Sequence, residues 1–126
     1  MDAASKKVLV VDDSSTMRRI LIQALKRCGF VQIVESGDGV DALAKCKEQT
    51  FDVVLTDWNM PQMDGLELIK LLRTIEAYAK VPIVMVTTEG AKTDVVEALT
   101  MGVTSYIVKP FTPDTLMAKM SELFDA

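Results

Sequence analysis

Three aspartates, a pair of threonines and a lysine stand directly after short apolar runs in this chain. Asp12 and Asp13 follow Val8-Leu9-Val10-Val11, and Asp57 follows Val53-Val54-Leu55-Thr56. Thr87 and Thr88 follow the run from Val81 to Val86, and Lys109-Pro110 follows the run from Ser105 to Val108. If these residues meet, their chemistry is constrained. Carboxylates about 5 Å apart at an effective dielectric near 20 repel by roughly 3 kcal/mol per pair. Some must then stay protonated, or a cation must neutralise them. An all-oxygen set without His or Cys selects a hard ion, and Mg²⁺ takes one or two carboxylates plus water and a phosphate. That leaves one carboxylate as a nucleophile. Lys109 would supply a point charge for a phosphoryl oxygen, and the Thr87 hydroxyl one hydrogen bond. These are the parts of phosphoryl transfer to an aspartate.

The residues meet only if the apolar runs are neighbouring strands. Two hydrophobic periods alternate along the sequence. After the first run, Met17, Ile20, Leu21, Ala24, Leu25 and Cys28 recur at helical spacing, with Gly29 where a C-terminal cap belongs and Ser14 or Ser15 able to cap the start. Val31 to Glu35 predicts a weaker strand, and Val40, Leu43 and Ala44 open a second amphipathic helix. Phe51 to Thr56 is a strand, and Leu68, Leu71, Leu72 and Ile75 mark a third helix. Val81 to Val86 is a strand with Pro82 at its start, and Val95, Ala98 and Leu99 mark a fourth helix closed by Gly102. Ser105 to Val108 is the last strand, and Leu116, Met120, Leu123 and Phe124 line the last helix. Unbroken Val/Ile/Leu strands are covered on both faces, as in a parallel sheet flanked by helices. The expected fold class is α/β: a five-stranded parallel sheet in the order 2-1-3-4-5 with five helices on its two faces. In that order the carboxyl ends of strands 1, 3, 4 and 5 converge on one edge.

Composition narrows the rest. The chain has 126 residues, 14 basic and 18 acidic side chains, a formal charge of −4 and no histidine. One domain, 1–126, fits that length. The acidic balance argues against nucleic-acid binding. The missing histidine removes histidine-based triads, HExxH zinc sites and phosphohistidine on this chain. Cys28 and Cys46 form no disulfide framework and read as buried thiols on helices, which fits a reducing cytoplasm. No apolar run is long enough to span a membrane, and Met1 to Lys7 is polar and too short for a signal peptide. Gly37-Asp38-Gly39-Val40-Asp41-Ala42 matches a dinucleotide fingerprint, but it leaves Asp12, Asp13 and Lys109 unexplained and reads as a turn. Asp57-x-Asn59 begins like a calcium loop, but Gln62 stands where the glycine is required. Taken singly, Asp12 or Asp13 could cap a helix, Asp57 and Thr87 could be turn residues, and Lys109 a solvated surface charge. Their joint placement at four strand ends favours a site.

The residues then resemble a response-regulator receiver domain, over about Lys7 to Phe124, and within that family the single-domain chemotaxis regulators. The resemblance rests on Val10-Val11-Asp12-Asp13-Ser14-Ser15-Thr16-Met17-Arg18-Arg19, on Asp57-Trp58-Asn59-Met60-Pro61 followed by Met63-Asp64-Gly65, on Thr87 with Glu89, on Tyr106, and on Lys109-Pro110-Phe111-Thr112. The order 2-1-3-4-5 is also that family's order. The resemblance implies Asp57 as phosphoacceptor, and Mg²⁺ on Asp13, Asp57 and the Asn59 carbonyl, with Asp12 acting largely through water. It implies Lys109 and Thr87 on the phosphoryl group, Thr87 with Tyr106 as the switch pair, and a cis Lys109-Pro110 bond. Asn59 and Glu89 would tune access of the hydrolytic water. Lys92, Tyr106 and Lys119 would lie on the output surface. Implied partners are a chemotaxis histidine kinase, a flagellar motor switch protein and a phosphatase, with the chain a cytoplasmic monomer and a signalling switch rather than an enzyme. Thr88 and Gly90 replace alanines of some chemotaxis members, which bears on dephosphorylation and partner choice. Two alternatives stay open: a phosphorelay or stress-signalling adaptor, and a small Mg²⁺-dependent aspartyl phosphatase. The latter would need a cap or deep pocket.

Overall fold

A computed structural model describes residues 2–125 of the chain, so Met1 and Ala126 at the ends of the expected domain lie outside the described residues. Five strands, β1 (Lys7–Val11), β2 (Gln32–Ser36), β3 (Val53–Thr56), β4 (Ile83–Thr87) and β5 (Ser105–Val108), alternate with five helices. The helices are α1 (Ser15–Arg27), α2 (Gly39–Glu48), α3 (Gly65–Thr74), α4 (Lys92–Thr100) and α5 (Pro113–Asp125). The strands form one parallel sheet in the order β2-β1-β3-β4-β5.

Period-2 alternation along the strands builds two cores. Val8, Val10, Val53, Leu55, Val84, Val86 and Ile107 pack with Leu21, Ala24 and Leu25 of α1 and Leu116 and Met120 of α5. Leu9, Val11, Val54, Ile83 and Met85 face the other way, onto α2, α3 and α4. Side chains of β1, β3 and β4 are therefore buried on both faces, as unbroken apolar runs require. Edge strands β2 and β5 are only partly buried, which is why β2 reads weakly in sequence.

Local signals set the helix ends. The Ser14 hydroxyl accepts the Met17 N–H (3.1 Å), Asp38 caps α2 through the Asp41 N–H (2.8 Å), and Asp64 caps α3 through the Glu67 N–H (2.8 Å). Gly29 and Gly102 both have positive φ just beyond α1 and α4.

Several expected helix faces are wider than the true ones. Ile20, Val40, Leu71 and Leu99 are 40–51% exposed, at the margins of their helices. On α2 the buried residues are Gly39, Ala42 and Cys46, while Ala44 is exposed. The face is turned because Gly39 touches the loop after β3. A Cβ there would stand 2.5 Å from the Met63 carbonyl oxygen, whose acceptor the Gly39 N–H uses (3.2 Å). The apparent dinucleotide fingerprint is this capped, close-packed helix start. Cys46 is buried as expected, but Cys28 is only partly buried, because it ends α1 at the surface. Strands β3 and β4 begin two residues later than their apolar runs.

Tyr78 bolts the amino end of β3. Its buried hydroxyl accepts the Phe51 N–H (3.2 Å) and donates to the Gln49 carbonyl (2.7 Å). Burial pushes its phenol from 10.0 up to about 12. The folded value lies above the unfolded one, so the stabilisation is complete below pH 10 and is lost as pH rises toward 12. Tyr78→Phe leaves the buried Phe51 N–H without its partner and is expected to cost about 1–3 kcal/mol. Urea unfolding near neutral pH checks that cost. Repeated across the alkaline range, it should show a shallower loss in the variant than in the parent.

Candidate functional site

Register delivers the site. Pairing Val11 with Thr56 sets Asp12 beside Asp57 across β1 and β3, and pairing Thr87 with Val108 sets Lys109 beyond the end of β4. The ladder continues one step further: the Asp57 N–H donates to the Val11 carbonyl (2.9 Å) and the Lys109 N–H to the Thr87 carbonyl (2.8 Å). Asp12, Asp13, Asp57, Thr87 and Lys109 therefore stand at one edge of the sheet. The Lys109–Pro110 bond is cis.

Lys109 reaches two carboxylates. Its Nζ lies 2.7 Å from Asp12 Oδ2 and 3.0 Å from Asp57 Oδ2, with the three side chains 7%, 2% and 14% exposed. Burial pulls the ammonium down, but hydrogen bonds and charge from Asp12 and Asp57 outweigh it and hold Lys109 above the ordinary lysine value. The other oxygens are also used: Asp12 Oδ1 accepts the Ser14 N–H (2.9 Å) and Asp57 Oδ1 the Trp58 N–H (2.6 Å). Asp13 is exposed, and its side chain makes no hydrogen bond among the described residues.

Asp12, Asp13 and Asp57 each offer a carboxylate oxygen within 4.8 Å of the others. Three carboxylates against one ammonium leave an excess of two negative charges, so the donor set fits a hard divalent cation. Asn59 lies two residues after Asp57 and is exposed; its Nδ2 donates to Glu89 Oε1 (3.0 Å) across the mouth of the site.

Thr87 is fully buried, and its hydroxyl accepts the Glu89 N–H (3.4 Å), which leaves its own proton to give. The Tyr106 hydroxyl donates to the Glu89 carbonyl. Burial first, then the charges of Asp94, Glu89 and Asp57, push the Tyr106 phenol up to about 12, so it is a neutral donor at physiological pH. Glu89 thus touches Asn59, Thr87 and Tyr106 at once, a linkage that no sequence spacing signals. Thr88 and Gly90 flank it and are exposed. Lys92 is exposed at the start of α4, and Lys119 is half-buried on α5. No hydrogen bond joins Lys92, Tyr106 and Lys119 to one another among the described residues.

A glycine and an arginine complete the surroundings. A Cβ on Gly65 would stand 2.0 Å from the Asp57 carbonyl oxygen, and the Gly65 N–H donates to the Trp58 carbonyl (2.7 Å). The loop carrying Asp57 can close only over a glycine there. Arg18, on α1, donates from Nη1 to the Asp12 carbonyl (2.6 Å) and from Nε to Glu35 (2.9 Å). A cleft of about 540 Å³, lined in part by Thr50, Phe51, Val81 and Pro82, opens at the amino ends of β3 and β4, the opposite edge of the sheet.

The response regulator receiver domain model matches residues 8–121. A Campylobacter jejuni protein named chemotaxis protein CheY homolog is 51% identical over 118 residues, covering 93% of this chain and 91% of that protein. Helicobacter pylori chemotaxis protein CheY1 is 50% identical over 115 residues, covering 90% and 93%. Among solved structures, Vibrio cholerae chemotaxis response regulator CheY4 superposes with a TM-score of 0.88 at 38% identity, covering 94% of this chain and 98% of that one.

Proposed function

This chain belongs to the response regulator receiver family, with relatives among the CheY chemotaxis proteins, and from that premise we propose a phosphorylation-controlled motor switch. A partner histidine kinase presents a phosphoryl group at the edge of the sheet, and an Asp57 carboxylate oxygen attacks the phosphorus. The phosphorus–nitrogen bond breaks, and the imidazole leaves with its electron pair. The observation that carries the reading is Lys109 bonded to both Asp12 and Asp57 inside a three-carboxylate cluster.

Asp12, Asp13 and Asp57, together with the carbonyl of Asn59, would hold Mg²⁺, which would neutralise carboxylate and phosphoryl charge. The remaining roles belong to side chains. Lys109 already faces Asp57, so its ammonium pairs with a phosphoryl oxygen once one is attached there. Thr87 gives its proton to another. Moving Thr87 releases the Glu89 N–H, and Tyr106 follows through the Glu89 carbonyl. The Asn59–Glu89 bond lies over the entrance and tunes access of the hydrolytic water. The changed surface of α4, β5 and α5, with Lys92, Tyr106 and Lys119, then binds a flagellar motor switch protein.

In this reading the chain is one receiver domain over 1–126, a cytoplasmic monomer that meets a separate phosphatase, and a switch rather than a turnover enzyme. No helix among the described residues is long and apolar enough to cross a membrane. A pull-down with and without beryllofluoride, in the presence of Mg²⁺, tests it. The expected result is capture of a motor switch protein only with the phosphoryl mimic. Equal capture in both conditions would count against a switch. Steady hydrolysis of a small phosphate ester would point instead to an aspartyl phosphatase.

A further inference from the structure

We propose that Arg18 is a positioning residue for the cation site, holding the Asp12–Asp13 peptide so that the Asp13 carboxylate faces Asp12 and Asp57. The inference rests on the functional reading above. Asp12 has direct anchors: Ser14 N–H on one carboxylate oxygen and Lys109 on the other. The Asp13 side chain has none among the described residues, so its place follows from the backbone on either side. On the amino side that backbone is a rigid peptide plane. Its carbonyl oxygen, that of Asp12, is where Arg18 Nη1 donates at 2.6 Å. Fixing that oxygen fixes the Asp13 N–H and Cα.

The guanidinium is itself held. Its Nε donates to Glu35 Oε1 on β2 at 2.9 Å, and the side chain is 19% exposed. Lys45 of α2 donates to the Glu35 carbonyl and pairs with Asp41 at 2.9 Å. On α1, Leu21, Ala24 and Leu25 are buried in the core, which fixes the helix that carries Arg18. A fork reaching two acceptors from a fixed helix suits arginine and not lysine. The Glu35 carboxylate also offsets a positive charge that would otherwise oppose a nearby cation.

That charge makes the test directional. If Arg18 were only a neighbouring cation, removing it would tighten Mg²⁺ binding. If it positions Asp13, removing it must weaken binding, by about tenfold as for partners that orient metal ligands. Trp58 is the chain's one tryptophan, and its backbone N–H donates to the Asp57 carboxylate, so it adjoins the site and its fluorescence can report Mg²⁺ without phosphorylation. Mg²⁺ titrations are expected to show weaker binding for Arg18→Met and weaker binding for Arg18→Lys despite the retained charge. Urea unfolding in EDTA shows whether each variant is folded. If Arg18→Met is not, Arg18→Lys decides. Binding by the folded arginine variants as tight as the parent's, or tighter, would overturn the inference while leaving the functional reading intact. A parent with no saturable, EDTA-reversible response would overturn both.

Discussion

Asp57→Asn is expected to take up no phosphoryl group from acetyl phosphate in the presence of Mg²⁺. The argument is chemical before it is structural. An amide oxygen carries no full negative charge, and its attack would leave a cationic imidate in place of the acyl phosphate that a carboxylate forms. The neighbouring carboxylates cannot substitute. Asp12 is 2% exposed in its side chain against 14% for Asp57, so it is closed to a phosphodonor. Asp13 is exposed, and among the described residues it makes no hydrogen bond or ion pair with Lys109. The variant should still fold, because Lys109 keeps its 2.7 Å bond to Asp12 and the Trp58 N–H still finds an oxygen at position 57. Losing one of three carboxylates should also weaken Mg²⁺ binding. Intact mass after incubation with acetyl phosphate, with urea unfolding as the control for folding, checks all of this. Undiminished stoichiometric labelling of the variant at another residue would sink the assignment.

Legibility from sequence followed the strength of the local signal. Strands β1, β3 and β4 were readable because burial on both faces demands unbroken apolar runs. Once those runs were neighbours, the carboxyl ends placed Asp12, Asp57, Thr87 and Lys109 together. Helix faces were less readable where packing is decided by small residues. The position of α2 depends on Gly39 against Met63, and glycine carries no hydrophobic signal, so the apolar pattern points Val40 and Ala44 inward while both lie outward. Polar links between distant elements were not readable at all. Arg18 reads as one basic residue on an amphipathic helix, and nothing in its spacing indicates the Asp12 carbonyl or Glu35. Glu89 stands out in sequence only through the family resemblance, and its simultaneous contacts with Asn59, Thr87 and Tyr106 are a property of three dimensions. Arg73 is similar, donating to the carbonyls of Tyr78, Val81 and Gly102 and so tying α3 to the far end of α4.

Lys109→Arg is expected to keep phosphorylation and lose switching. A guanidinium can satisfy Asp12 and Asp57 together through its fork, so the resting charges stay paired and Asp57 stays available to a donor. What changes is the contact made after phosphorylation. The ammonium of Lys109 is a compact charge in a site where it is 7% exposed, within reach of both Asp57 and anything attached to it. A planar guanidinium bonded to both carboxylates cannot also turn onto a phosphoryl oxygen, and its bidentate hold on the carboxylates favours the resting form. Shifting an equilibrium from 1:99 to 99:1 takes about 5.5 kcal/mol of differential stabilisation. One charged hydrogen bond is worth about 1.5–3 kcal/mol, so losing it cuts the ratio from 99:1 to between about 9:1 and about 1:1. Extra stabilisation of the resting form pushes the balance back further. Labelling by acetyl phosphate should therefore proceed close to the parental extent, while phosphorylation no longer strengthens binding to the motor switch partner. Parental binding by the phosphorylated variant would contradict the role assigned to Lys109 and leave Thr87 and the cation to account for the switch.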